Sequence, residues 1–226
     1  MAANPPSQNP ADEDSLVGTL RFAFNKFMQG VDGMLPAKII AVSGDRNNPR
    51  VTVEPLIALV TTGGATIKRA QIASLPVFQF GAGGFMLSFP LAPGNLGWIM
   101  ANDRDISIFL KSYANARPQT LRKTNFADAV FIPDIMTGYT IDGEDAGNAV
   151  LQSADGSVKI ALWPDRVKIT APLVEIDSAL VTMSGDLTVN GAVAVDGDVT
   201  SGTISVTSHI HNGVQSGGGT SGPPVP

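Results

Sequence analysis

From Val158 to Val206, apolar residues arrive in pairs two positions apart: Val158/Ile160, Val167/Ile169, Val174/Ile176, Val181/Met183, Leu187/Val189, Val193/Val195 and Ile204/Val206. The second to fourth pairs begin seven residues apart, and the fourth to sixth begin six apart. Side chains two apart share one face of a strand. Turn residues such as Ser184-Gly185-Asp186, Asn190-Gly191 and Asp196-Gly197-Asp198 separate the pairs. One short strand plus one turn, repeated, is the pattern of a β-helical stack. A single copy would bury two side chains per layer and leave its strand edges open. Three copies wound about one axis bury the pairs in a triangular core and give every strand neighbours. Residues 151–207 therefore read as an intertwined, homotrimeric β-helix shaft, roughly 40 Å long at the usual strand spacing. A one-chain solenoid is the alternative, and the short period speaks against it.

The remainder of the chain is also mainly β in character. Aromatics make up only 6% of the 226 residues, and 24 glycines and 16 prolines suit short strands and turns. Residues 1–35 form an N-terminal arm and helix: 1–14 are polar and Pro-rich, and Ser15 can cap a helix running to about Val31. Its apolar stripe, Leu16, Leu20, Phe24, Phe27 and Val31, either packs on its own domain or docks on sister chains or a hub protein. Residues 36–112 hold apolar runs at 38–42, 51–60, 78–80, 85–89, 96–101 and 106–110, broken by Gly- and Pro-rich turns. That spacing predicts a small closed barrel, the OB fold being the commonest candidate and a sandwich the alternative, with Trp98 in the core. Residues 113–150 read as a linker. Its acidic stretch over 142–148 lacks the spacing of a calcium loop and reads as solvated.

Charge narrows the partners. The net charge is −5, and beyond Lys168 there is no Lys or Arg, while Glu175, Asp177, Asp186, Asp196 and Asp198 lie there. Such a segment cannot neutralise phosphates, so nucleic acid is excluded as its partner, and it would not adhere to an anionic membrane surface. The chain has no cysteine, so any metal must be held by His or carboxylate. Asp12, Glu13 and Asp14 stand where a secretory signal wants a basic start, and no run of about 18 apolar residues offers a membrane span.

The two histidines of the whole chain are His209 and His211, just after the last pair, at the start of a tip over 208–226. Three chains would bring six imidazoles around one axis, an octahedral set. Six such ligands suit iron(II), nickel or cobalt better than tetrahedral zinc, and biological availability favours iron. One ion per trimer with six His ligands leaves no open position, so the metal would be structural. The Gly-rich residues that follow allow three backbones to converge.

Ser208-His209-Ile210-His211-Asn212-Gly213-Val214, with Gly217, Thr220, Gly222 and Pro223, resembles the apex of central spike proteins from contractile-tailed phages. Pro76-Val77-Phe78, Gly81, Gly84, Phe89-Pro90-Leu91, Gly94, Gly97 and Asp103-Arg104-Asp105, continued by Asp128-Ala129 and Pro133, look like the N-terminal OB domain of phage cell-puncturing spikes. The sequence departs from that family at Ile106-Ser107-Ile108-Phe109, where a polar residue and a Trp are usual, and it has no lysozyme-like insertion. The resemblance implies a homotrimer with iron bound by His209 and His211 at its tip. It also implies a baseplate hub protein at the N-terminal end, a place at the tail tip of the virion, and assembly in the host cytoplasm. The expected function is mechanical piercing of the bacterial outer membrane during tail contraction. A trimeric receptor-binding fibre or adhesin tip is the alternative, although no Phe, Tyr or Trp follows Trp163.

Enzyme chemistry is not expected. Both histidines lie at the extreme end, away from any folded domain that could hold a Ser-His-Asp triad. Glu13, Glu54, Glu144 and Glu175 fall in separate segments, which does not suit a glycosidase pair. Gly81-Ala82-Gly83-Gly84 fits no phosphate-loop pattern.

Overall fold

A computed structural model describes residues 15–45, 47–61, 64–213 and 217. The expectations for the arm over 1–14 and for most of the tip beyond Gly213 lie outside the described residues. The chain divides into two units, residues 1–173 and 174–226.

Helix α1 (Leu16–Gln29) begins at Ser15, whose hydroxyl accepts the Gly18 N–H at 3.0 Å. Its apolar stripe stays exposed, Leu16 and Phe27 at 76% and 69%, so the stripe does not pack on its own domain. Chain order then gives strands β1 (Met34–Ser43) and β2 (Arg50–Pro55), a hairpin of β3 (Leu59–Val60) and β4 (Thr66–Ile67), and β5 (Ile72–Pro76). A second hairpin, β6 (Phe80–Ala82) and β7 (Phe85–Leu87), precedes β8 (Leu96–Asn102), a short helix α2 (Phe109–Ser112) and β9 (Asn125–Pro133). The main sheet runs β5-β2-β1-β8-β9, antiparallel throughout. A parallel bridge between Val77 and Phe131, with the Phe78 N–H donating to the Phe131 carbonyl at 2.7 Å, brings its two edges together. Five strands in that order form an OB-type barrel.

Alternation explains the core. In β2, Val51 and Val53 point inward while Thr52 and Glu54 face out. Ala37, Ile39, Leu75, Ile99, Phe126, Ala129 and Phe131 complete the cluster with them. The same period places Gly97 and Ile99 inside and Trp98 on the outer face. Trp98 is therefore not a core residue; it is half-buried, and its indole N–H donates to Asp134 at 2.7 Å. Gly97 makes room for Phe131: a Cβ there would sit 2.4 Å from both the Phe131 ring and the Ile132 carbonyl oxygen.

Two expectations change at the barrel's far end. The run over 106–110 is not a strand but a turn leading into α2, because the Asp105 carboxylate captures the Ser107 N–H at 2.9 Å and bends the chain. The stretch over 113–150, expected as a linker, supplies β9 and hence two of the largest core residues, Phe126 and Phe131. Asp105 is buried, and Thr120 donates to it at 2.8 Å. Arg122 forks onto the buried Asp128 with two contacts of 3.0 Å and reaches Asp105 at 3.5 Å. A carboxylate out of water must be hydrogen-bonded or paired; here one guanidinium ties the loop after β8 to β9.

The acidic stretch is likewise not wholly solvated. Asp145 is fully buried, holding the Lys159 ammonium at 2.5 Å and the Trp163 indole N–H at 3.0 Å. Lys168 pairs with Glu144 beside it. These contacts hold a meander of β10 (Ala149–Gln152), β11 (Lys159–Leu162) and β12 (Val167–Thr170). Residues 151–170, expected as the first rungs of the shaft, thus pair within the chain. Leu151, Ile160 and Ile169 stand side by side on the meander's exposed face. Among the described residues no helix is long and apolar enough to cross a membrane.

Two measurements test the packing and charge arguments. Gly97→Val should destabilise the barrel by about 1–3 kcal/mol through overpacking, and Phe131→Ala by about 3–5 kcal/mol through the cavity it leaves; urea unfolding reads both. Asp105 is held far below the usual carboxylate range, first by Ser107, then by Thr120, with Arg122 adding to it. Asp145 is lowered chiefly by Lys159, and Asp134 chiefly by Trp98. A carboxylate with a depressed folded pKa stabilises fully above its unfolded value of about 3.9 and loses that contribution as pH falls through the folded value. The melting midpoint should hold down to about pH 5 and then fall steeply below about pH 4. Asp105→Asn should lower the midpoint at neutral pH and flatten part of that acid decline; an acid profile identical to wild type would refute the role given to Asp105.

Candidate functional site

Unit 174–226 carries five of the seven apolar pairs and both histidines. From Val174 to Asp198 the chain makes no backbone–backbone hydrogen bond among the described residues. The paired residues Val174/Ile176, Val181/Met183, Leu187/Val189 and Val193/Val195 remain between 47% and 69% exposed. Valines in the barrel core, by contrast, are fully buried. An extended segment with open amides and an unburied apolar row offers both a strand edge and an apolar face.

Order returns at the end. Strands β13 (Thr200–Ser201) and β14 (Ile204–Ser205) form a hairpin that turns at Gly202, where φ is 62°. The Val206 N–H donates to the Val199 carbonyl at 2.8 Å and extends the pairing by one step. Across the hairpin, one oxygen of Asp198 accepts the Thr207 N–H at 3.2 Å and its hydroxyl at 2.6 Å. Hydrogen bonding from Ser205 and then Thr207 holds the Asp198 carboxyl below its usual range. The Ser205 hydroxyl accepts from the Ser208 N–H and hydroxyl at 2.9 and 2.8 Å, which closes a turn over 206–208.

His209 and His211 follow that turn and lie outside any strand. The structure still brings the two rings together, with centroids 4.9 Å apart and planes at 78°. The Nδ1 atom of His209 lies 3.0 Å from the Ser205 carbonyl oxygen and 3.1 Å from that of Val206. Both rings are exposed. No group of three or more His, Cys, Asp or Glu side chains that could hold a metal occurs among the described residues of one chain. Two imidazoles fit a borderline transition metal by donor type. Asp198, Ser205 and Thr207, which support His209, carry no motif; their nearness follows from the Gly202 turn, and only the Asp-Gly-Asp step over 196–198 hinted at a bend.

The barrel offers a groove of about 700 Å³ lined by Val77, Phe78, Phe80, Leu87 and Phe89. Asp45 is the charged residue among its described lining.

An OB-type barrel, an extended apolar repeat and a histidine pair after a hairpin are the parts on which comparison with known proteins bears. Residues 35–134 match the family model described as the phage protein Gp138 N-terminal domain, and residues 204–225 match the GpV Apex motif. The chain thus carries a Gp138-type domain and, after it in the sequence, an apex motif, both features of phage baseplate spike proteins. No curated protein matches the chain.

Proposed function

We propose that this chain is one protomer of a homotrimeric spike that pierces the bacterial outer membrane mechanically when the tail contracts. The observation that carries the reading is the segment over 174–198, with its open backbone groups and exposed apolar pairs. Three identical chains wound together answer both needs, since each supplies the edge and the apolar face that the next one lacks. The barrel is then the attachment to a baseplate hub protein, and α1, with its exposed stripe, belongs to the same attachment. Assembly takes place in the host cytoplasm before the particle is complete. The work is mechanical and needs no catalysis: a narrow prism without Lys or Arg along 174–213 carries force past an anionic lipid surface without sticking to it.

The tip reading follows from the same symmetry. His209 and His211 from three chains place six imidazoles around the axis, and we assign to them one iron ion per trimer. When bound, the ion supplies a structural clamp on three chain ends that would otherwise fray. It needs neutral imidazoles, so release is expected at pH well below the ordinary histidine value of about 6.5.

Three outcomes are expected. Equilibrium sedimentation of the full chain at micromolar concentration should give a trimer, and a monomer would refute the architecture. Val195→Asp should block assembly, because it gathers three carboxylates in an apolar core. Elemental analysis should find one iron per three chains in protein never exposed to chelator; His209→Ala with His211→Ala should remove it while the trimer persists. Hydrolysis of peptidoglycan or polysaccharide at an enzyme-like rate would overturn the mechanical reading.

A further inference from the structure

We infer that Asp198 and Thr207 are positioning residues for the tip. They fold the turn that aims the Ser205 and Val206 carbonyls at His209 Nδ1, and so fix His209 as the Nδ1–H tautomer with Nε2 as its metal-ligating atom. This rests on the metal reading above for its purpose, but the geometry stands without the ion. A carbonyl oxygen can only accept, so a ring nitrogen held by two of them must carry the hydrogen. In a neutral imidazole the lone pair then resides on Nε2. A metal ligand whose other nitrogen is anchored in this way keeps its orientation, and losing such support commonly weakens binding about 10–100-fold.

What holds those carbonyls is the hairpin. Asp198 stands on the incoming side and Thr207 on the outgoing side, nine residues apart in sequence and joined through a single carboxylate oxygen. The Val206-to-Val199 bond and the β13–β14 pairing hold the same two arms. The Ser205 carbonyl takes both the His209 backbone N–H at 3.1 Å and Nδ1 at 3.0 Å, so one acceptor sets backbone and ring together. With Thr207 released, the turn over 206–208 loses its side-chain tie to the incoming arm at Asp198, and the ring loses its fixed pair of acceptors. His211 has no carbonyl on either ring nitrogen among the described residues, so the anchoring is specific to the first histidine.

The chain has two histidines, so selective nitrogen-15 labelling gives spectra with two rings only. In metal-free full-length protein, at a pH well above the ordinary histidine value of about 6.5, wild type should show one ring locked as the Nδ1–H tautomer, assigned by its loss in His209→Ala. Asp198→Ala and Thr207→Val should each return that ring to a tautomer mixture, while Asp198→Asn and Thr207→Ser, which keep the hydrogen bonds, should preserve it. After loading with ferrous iron, the alanine and valine variants should lose metal to a chelator about ten-fold faster or more, with sedimentation unchanged. A His209 ring protonated at Nε2 in wild type, or a tautomer ratio unchanged in both disrupting variants, overturns the clamp. If wild type takes up no iron, the metal reading fails, and the tautomer spectra of the metal-free protein still decide the clamp.

Discussion

A backbone amide withdrawn from water must meet an acceptor, and the two units of this chain satisfy that demand in different ways. The barrel does so internally: β1 pairs with β2 and β8, β9 returns to β8, and the Phe78 amide reaches Phe131 across the seam. The segment over 174–198 contributes strand-forming residues and no internal ladder. Its alternating apolar pairs impose the same requirement on side chains, since valines and leucines that stay half exposed in one copy lose nothing by being covered. The class of the molecule follows from this division. One part is a self-sufficient domain, and the other is an extended segment whose backbone groups and apolar pairs stay open within one chain.

Legibility in the sequence tracked how each strand meets water. Strands β2 and β8 announce themselves because inward and outward residues alternate cleanly, Val51-Thr52-Val53 in one and Gly97-Trp98-Ile99 in the other. Strand β9 does not, because it buries Asp128 next to Ala129, and a carboxylate in the middle of Phe-Ala-Asp-Ala-Val-Phe breaks any apolar pattern. Only the Arg122 side chain, invisible to periodicity, makes that burial affordable. Strand β5 hid for a different reason: of Ile72, Ala73, Ser74, Leu75 and Pro76 only Leu75 is fully covered. The run over 106–110 misled in the opposite direction, being apolar enough for a strand but turned by the carboxylate just before it. At the tip the histidine pair was plain from composition, two histidines in a chain that has no others. The hairpin beneath it was not, since a contact between Asp198 and Thr207 depends on where the chain reverses.

Buried charge recurs as the device that fastens irregular segments. Arg122 between Asp105 and Asp128, and Lys159 on Asp145, each join a turn-rich stretch to a strand that periodicity alone would leave loosely placed. Breaking such a pair by removing one partner leaves an uncompensated charge, whereas an apolar replacement of both could fold as well or better. Both clusters lie in segments rich in turns, where few side chains are available for apolar packing. Charge-assisted hydrogen bonds there fix direction as well as distance, which a loop needs more than bulk burial.

The seam between Val77 and Phe131 also sets an order of events during synthesis. Every contact that closes the barrel lies within one chain, so its formation is unimolecular and proceeds at the same rate however dilute the protein is. On the trimeric reading proposed above, the contacts that cover 174–198 come from other molecules, and their rate rises with concentration. On that reading a newly made chain passes through a stage with a finished barrel and an open, sticky strand segment, the kind of species that aggregates when partners are scarce. Abundant, localised production is a kinetic requirement of this architecture, and expression at low level or at scattered sites would lengthen the interval in which that exposed segment can find the wrong edge.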